Sequence, residues 1–339
     1  MIVMKKKNIL AVLILLTFFA VVVSFLVDKP QKKVEKKETT LSLIKPRDPE
    51  TEKYIEKTID NKDYELNVVD LGDKVKRGEG LLFKDGSLYV LDSKNNQLVI
   101  LDENYELKEK IGKTGNAPLE FQHPTGITSD EDGNFYILDS GNKRVQVLDS
   151  ELKFVKEMAF KIRDSSPEAM FYHIAVDSSK TIHLAGNTIE YPGIYTLDNS
   201  GKQTYKFDYF VGSVFNKDGK VYAINFGDVT GENEKEHDYG YQTGKNFFMT
   251  IENNKLKILS ELSYGLYTHS FLVTEDKLIL DSGLFQAVSF FNLKGKYEST
   301  LKKYPENKKQ SDSHITLVNE KIILSNSLDG KLIEYSPKK

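Results

Sequence analysis

The sequence predicts an all-β fold, a six-bladed β-propeller preceded by an N-terminal transmembrane helix. Three observations predict it. Residues 9–27 form an unbroken apolar segment, a four-strand unit recurs six times beyond Asp63, and a lone strand precedes the first unit while the last unit runs one strand short. These divide the chain into a cytoplasmic arm (1–8), a membrane anchor (9–27), a Lys/Glu-rich linker (28–62) and the propeller (63–339).

The apolar segment, ILAVLILLTFFAVVVSFLV, is 19 residues without a charge. At about 1.5 Å per helical residue it spans a hydrocarbon core of roughly 30 Å. Cleaved signal peptides carry a shorter apolar region and an A-x-A-like exit, which VSFLVDKP does not offer, so an uncleaved single-pass anchor is expected; secretion after cleavage is the alternative. Lys5, Lys6 and Lys7 favour a cytoplasmic N-terminus, whereas Lys29, Lys32, Lys33, Lys36 and Lys37 pull the other way. The arm is too short to be the exported part, so the body is placed outside the cytoplasm.

Composition bounds the body. Hydrophobic residues make up 39% and aromatics 11%, enough for a substantial core and too much for a disordered chain. The chain has no cysteine, which excludes a disulfide framework, a thiolate metal site, a catalytic Cys and a lipidated Cys. Residues 1–40 carry eight Lys against Asp28, Glu35 and Glu38, a local charge of +5, so the rest of the chain holds −8 of the total −3. An acidic body excludes nucleic acid as a partner. No Gly-rich phosphate loop, G-x-S-x-G elbow or HExxH helix is present.

The repeat is plainest in two consecutive copies, LYVLDSKNNQLVILDENYELKEKIG from Leu88 and FYILDSGNKRVQVLDSELKFVKEM from Phe135. Each reads as apolar strands separated by polar turns, the pattern of sheets buried between other sheets. Weaker copies begin at TIHLAG, VYAINF, LILDSG and IILSNS. Six units between Leu66 and Lys339 give about 46 residues each, the length of a propeller blade. YELNVVDLG at Tyr64 to Gly72 has no blade of its own, and it is expected to complete the last blade and so remove both open sheet edges.

The segment DGNFYILDSGNKRVQVLDSELK, preceded by EFQHPTGI, resembles an NHL repeat. That family's pattern joins Glu-Phe and Pro-x-Gly-Ile to an Asp-Gly turn, a Tyr-Val-x-Asp strand and Asn-x-Arg-Ile-x-Val. The resemblance covers residues 64–339, close in the second blade and looser from the third onward. It implies a six-bladed ring, and among its relatives membrane-tethered sensor and binding domains, secreted propellers and a few metal-dependent lyases and lactonases. Fold alone does not choose among them.

Within the repeat, Asp92, Asp139 and Asp281 close the second strand, where a short acceptor bonds turn amides. Gly86 and Gly133 occupy Asp-Gly turns that require positive φ. Histidine is the more informative type. His123, His173, His269 and His314 each stand at or just before an innermost strand, so the fold would gather them near the axial channel. Three imidazoles with an open position would suit zinc or another divalent ion, and water activated there would support lyase or hydrolase chemistry. The competing reading makes them half-exposed lining of a wet channel. His183 and His237 have no repeat partners and are expected to have no special role.

The fourth blade carries the largest insertion, NFGDVTGENEKEHDYGYQTGKNFF, between its second and third strands. Long loops in compact repeats are often binding elements. This one holds Asp228, Glu232, Glu234, Glu236, Asp238, Tyr239 and Tyr241, which suit a basic partner, a sugar or a cation, though not at calcium-loop spacing. Tyr191 and Tyr195 in the third blade are expected to pack within the sheet rather than bind.

The leading expectation is a non-enzymatic binding or scaffold module, outside the membrane, that docks a protein, peptide or cell-envelope glycan on its loop-bearing face and requires no cofactor. The alternative is a metal-dependent lyase or hydrolase using His173, His269 and His314, with His123, at the channel mouth. A third reading is a structural spacer.

Overall fold

The computed structural model describes residues 62–161, 170–186, 193–208, 210–225, 246–262, 268–282, 287–302, 314–326 and 329–338. The arm expected to be cytoplasmic, the 9–27 segment expected to be an anchor, and residues 28–61 of the linker lie outside the described residues. Among the described residues no helix is long and apolar enough to cross a membrane.

Six four-stranded antiparallel sheets form the body. The chain begins with β1 (Tyr64–Asp70) and then builds the first blade from β2 (Gly78–Lys84), β3 (Ser87–Asp92), β4 (Gln97–Leu101) and β5 (Leu107–Ile111). The second blade is β6 (Pro124–Ser129), β7 (Phe135–Asp139), β8 (Arg144–Leu148) and β9 (Phe154–Ala159). The third is β10 (His173–Val176), β11 (Ile182–Ala185), β12 (Gly193–Leu197) and β13 (Gln203–Asp208). The fourth is β14 (Gly212–Lys217), β15 (Lys220–Asn225), β16 (Phe247–Glu252) and β17 (Lys255–Glu261). The fifth is β18 (Thr268–Val273), β19 (Lys277–Ser282), β20 (Ala287–Asn292) and β21 (Tyr297–Lys302). The last holds β22 (Ile315–Val318), β23 (Lys321–Ser325) and β24 (Lys331–Pro337), and β1 supplies its fourth strand.

Strand character follows position. The second and third strands of a blade lie between neighbouring sheets and are largely buried and mostly apolar, as in SLYVLD and RVQVL, where every residue is buried. Outer strands face water on one side, and FVKEMA alternates accordingly. Six apolar clusters fill the blade interfaces among the described residues. One packs Leu91 and Leu98 of the first blade against Phe135 and Ile137 of the second. Another packs Val318, Ile323 and Leu332 of the last blade against Leu81, Leu88 and Val90 of the first. Innermost strands contact one another in succession, and β22 contacts β2, so the ring is closed.

Closure at the sheet level is the pairing of β1 with β24, from Tyr64↔Pro337 to Asp70↔Lys331, as the lone strand predicts. The seam is reinforced by Tyr105 of the first blade, whose hydroxyl donates to Glu334 of β24. Burial would raise the Glu334 carboxyl, but hydrogen bonds from Tyr105, Ser336 and Lys321 outweigh it and hold it below the usual carboxylate range. Burial and the Glu334 contact push the Tyr105 phenol upward.

The inner strands all run the same way. We call the face where they begin the head face and the face where they end the tail face. Asp85 and Gly86 link β2 to β3 on the tail face with φ of 49° and 67°, a positive-φ hairpin turn, and Gly133 has φ of 88°.

Arg144 ties the second blade to the loop that enters it. Its guanidinium donates to Asp139 Oδ2 at 2.9 Å, to the carbonyls of Asn116, Ala117 and Glu120, and to Glu157. Asp139 is fully buried. Arg144→Met is expected to leave that carboxylate without its cation and to cost about 3–5 kcal/mol, read as a lowered urea midpoint, with the Asp139→Asn second change recovering part of the loss.

Candidate functional site

On the head face of the first, second and last blades the residue that ends the second strand fastens the loop that starts the blade, whereas β19 runs one residue past Asp281 to Ser282. Asp92 accepts the amides of Lys76 and Arg77 at 3.0 and 3.1 Å as well as turn amides of Lys94 and Asn95. Asp139 accepts the Gln122 amide at 2.7 Å. Ser325 Oγ accepts from His314 N at 2.9 Å, whereas Asn225, at the same place in the fourth blade, accepts from Phe247 N of the third strand at 2.6 Å. These contacts fix where the inner strands begin, and hence where the histidines stand.

His173 opens β10 opposite Ala185, and His314 stands opposite Ser325 immediately before β22. These are equivalent positions in the third and sixth blades, which face each other across the axis. Their rings meet there, with centroids 5.0 Å apart and planes tilted by 46°. His314 Nε2 lies 2.9 Å from the Tyr172 carbonyl. A carbonyl only accepts, so that nitrogen carries the proton. Tyr172, His173 and His314 thus bridge the channel near the head face.

The other two candidates are not part of this bridge. His269 is the extra residue of a bulge in β18, where Thr268 pairs with Ser282 and Ser270 with Asp281. It is buried and does not line the axial cavity. His123 precedes Pro124, the residue that pairs with Asp139, so it falls one position ahead of the His173 equivalent. Its amide donates to Asn96 Oδ1 at 2.7 Å, which holds it between the first two blades. Among the described residues no group of three or more His, Cys, Asp or Glu side chains stands close enough to hold a metal ion. His183 is buried between Thr196 Oγ1 at 3.3 Å and Asp177 Oδ2 at 3.6 Å. His237 and Tyr191 lie outside the described residues, and Tyr195 is buried edge-on against Phe171, in packing.

Between the histidine bridge and the tail face the axis holds a cavity of about 310 Å³, lined from all six inner strands. Phe83, Phe215, Phe271 and Leu317 supply apolar surface, and Thr128 and Asn216 supply polar groups. The sequence reading missed this cavity and Tyr172, since no repeat signature marks residues that meet only across the axis.

The fourth-blade insertion stands on a fixed base. Its flanking residues are buried, and Asn246 Nδ2 donates to the Asn225 carbonyl at 2.5 Å. Asn225 ends β15 on the head face, so both feet of the insertion are there. Asp228, Glu232, Glu234, Glu236, Asp238, Tyr239 and Tyr241 themselves lie outside the described residues. By contrast, β1 starts at Tyr64 and β24 ends at Pro337 on the tail face, joined by the Lys338 amide to the Asp63 carbonyl.

The ring and its axial cavity define a six-bladed β-propeller, and comparison agrees. Residues 73–183 match a protein family described as a 6-bladed beta-propeller. No curated protein is significantly similar to the chain in sequence. Among solved structures, a catalytically inactive virginiamycin B lyase from Staphylococcus aureus bound to quinupristin is similar with a TM-score of 0.55 at 14% identity, over 81% of this chain and 100% of that one. A protein inferred to be a gluconolactonase is similar with a TM-score of 0.54 at 11% identity, over 83% and 95%. A Bacteroides fragilis protein inferred to be exported gives 0.53 at 12% identity, over 82% and 96%. At such identities the likeness is one of fold.

Burial, with the Arg77 charge nearby, holds the His123 imidazole below its ordinary 6.5. The unfolded chain then binds this proton at higher pH than the folded one. The effect is absent well above pH 6.5 and subtracts from stability as pH falls through it, down to the folded midpoint. An NMR titration of the His123 ring should give a midpoint below 6.5, and His123→Asn should flatten the stability–pH slope in that window.

Proposed function

We propose that this chain is a membrane-anchored, extracytoplasmic propeller of NHL-like blades that serves as a binding or scaffold module. Residues 9–27 form the anchor, residues 28–62 the stalk, and the head face docks a protein, peptide or cell-envelope glycan. The polarity of the ring carries this reading. The stalk joins the body at Tyr64 on the tail face, while the fourth-blade insertion has both feet on the head face. In a ring of this kind the first closing-strand residue, Tyr64, and the feet of the insertion, Asn225 and Asn246, are on opposite faces. The acidic and tyrosine residues from Asp228 to Tyr241 supply the chemistry for contact, and Asn225 and Asn246 give the segment a buried base, the arrangement by which loops on fixed scaffolds bind.

A second reading, a metal-dependent lyase or hydrolase, draws on the adjacent His173 and His314 rings. Two imidazoles are one ligand short of the usual catalytic zinc set of three protein groups. Elemental analysis of the purified chain beside a His173→Ala/His314→Ala variant separates the readings: about one ion per chain, lost in the folded variant, would favour the enzyme.

For the binding module, in-cell crosslinking of the full-length chain should yield an envelope adduct. Deletion of residues 228–244 should abolish that adduct while leaving the unfolding temperature unchanged; an adduct that survives the deletion would place docking elsewhere. A C-terminal epitope tag should be reachable by antibody on intact cells and an N-terminal tag should not.

A further inference from the structure

The axial cavity lies on the opposite side of the histidine bridge from the head face, so it is separate from the docking surface proposed above. Its walls explain why it exists. The inner strands of the third and sixth blades, β10 and β22, are four residues long, against six or seven in the other blades. Asn216 of the fourth blade reaches past the short β10 to the second blade, where its Oδ1 accepts from Thr128 Oγ1 at 2.5 Å and its Nδ2 donates to the Ser129 carbonyl at 3.0 Å. These two contacts fix the amide at the cavity wall. A carboxamide has two N–H donors and two acceptor lone pairs, so one of each remains for a guest.

The rest of the wall sets the guest's chemistry. Phe215 and Phe271 both line the cavity, with ring centroids 5.9 Å apart and planes tilted by 57°. Aromatic guests extend such tilted clusters favourably. The one Lys, Arg, Asp or Glu in the lining is Lys217, and its ammonium is committed to Glu275, with Asp218 at 3.9 Å. The His173 and His314 imidazoles also line the cavity but stand at its head end, with His314 Nε2 on the Tyr172 carbonyl. A charged guest beside Asn216 would therefore lose hydration without gaining a fixed counter-ion, whereas a neutral one loses little. The volume of about 310 Å³ is at the lower end of small-molecule sites.

We propose that this cavity is a binding site, opening on the tail face, for a small neutral aromatic molecule with a hydrogen-bonding edge that meets Asn216. The chain has no Trp, so indole, excited on the long-wavelength side of the tyrosine absorption, serves as a fluorescent probe free of Trp background. Titration of the purified protein with indole should saturate at one molecule per chain. Asn216→Ala should weaken it by about 3- to 10-fold, the effect of one hydrogen bond. Leu317→Tyr, which narrows the mouth from a half-buried position, should abolish it, and deletion of residues 228–244 should leave it unchanged. Benzoate and tryptamine, charged analogues, should bind at least about 10-fold more weakly. Absence of saturable indole binding to the unmodified protein would overturn the proposal, as would undiminished affinity in a folded Leu317→Tyr variant or equal affinity for the charged analogues.

Discussion

Everything in this molecule depends on the pairing of β1 with β24. A propeller blade buries both faces against its neighbours, so six wedge-like sheets hold one another only if none can swing outward. The seven residue pairs from Tyr64↔Pro337 to Asp70↔Lys331 join the two ends of the body and turn an open array into a ring. They also cover the edge of β24, whose Ile333 and Tyr335 are fully buried beneath Tyr64 and Leu66. The Tyr105–Glu334 hydrogen bond then carries the seam into the first blade, so closure is felt on both sides of the joint.

Closure fixes the polarity from which the functional reading follows. Because the closing strand takes the outermost place in its blade, the chain must enter on the tail face. Second strands end and third strands begin on the head face, and Asn225 and Asn246, which flank the insertion, stand there. The same geometry brings opposite inner strands within reach of each other. His173 and His314 meet across the axis, and they separate a loop-bearing surface from a cavity that opens the other way. One ring therefore presents two chemically distinct surfaces.

Much of the fold was legible in the sequence because strand character and turn chemistry are local. Buried runs such as FYILD and RVQVL, the Asp-Gly turns and the surplus strand at Tyr64 each carry their own signal. The pairing of Glu-Phe with Asn-x-Arg in the second blade also has a local cause, since Arg144 binds the carbonyl of Glu120 while Phe121 packs in the interface between the first two blades. The site was less legible. The position of His269 depends on a bulge that no residue of HSFLV announces, and a single extra residue removes it from the axis. His123 stands one residue before the paired position, which Pro124 occupies opposite Asp139. The contact of His173 with His314, and the reach of Asn216 past β10, depend on strand lengths in blades far apart in the chain.

The central claim is that β1 belongs to the cooperative unit of the ring. Native-state hydrogen exchange measures this directly, since each amide reports the free energy of the opening that exposes it. The account predicts that ladder amides of β1 and β24 exchange with the same free energy as those of inner strands such as β6 and β14, through global unfolding. Fast exchange of β1 and β24 while β6 and β14 remain protected would show a ring that stays folded without its closing strand, and would contradict it.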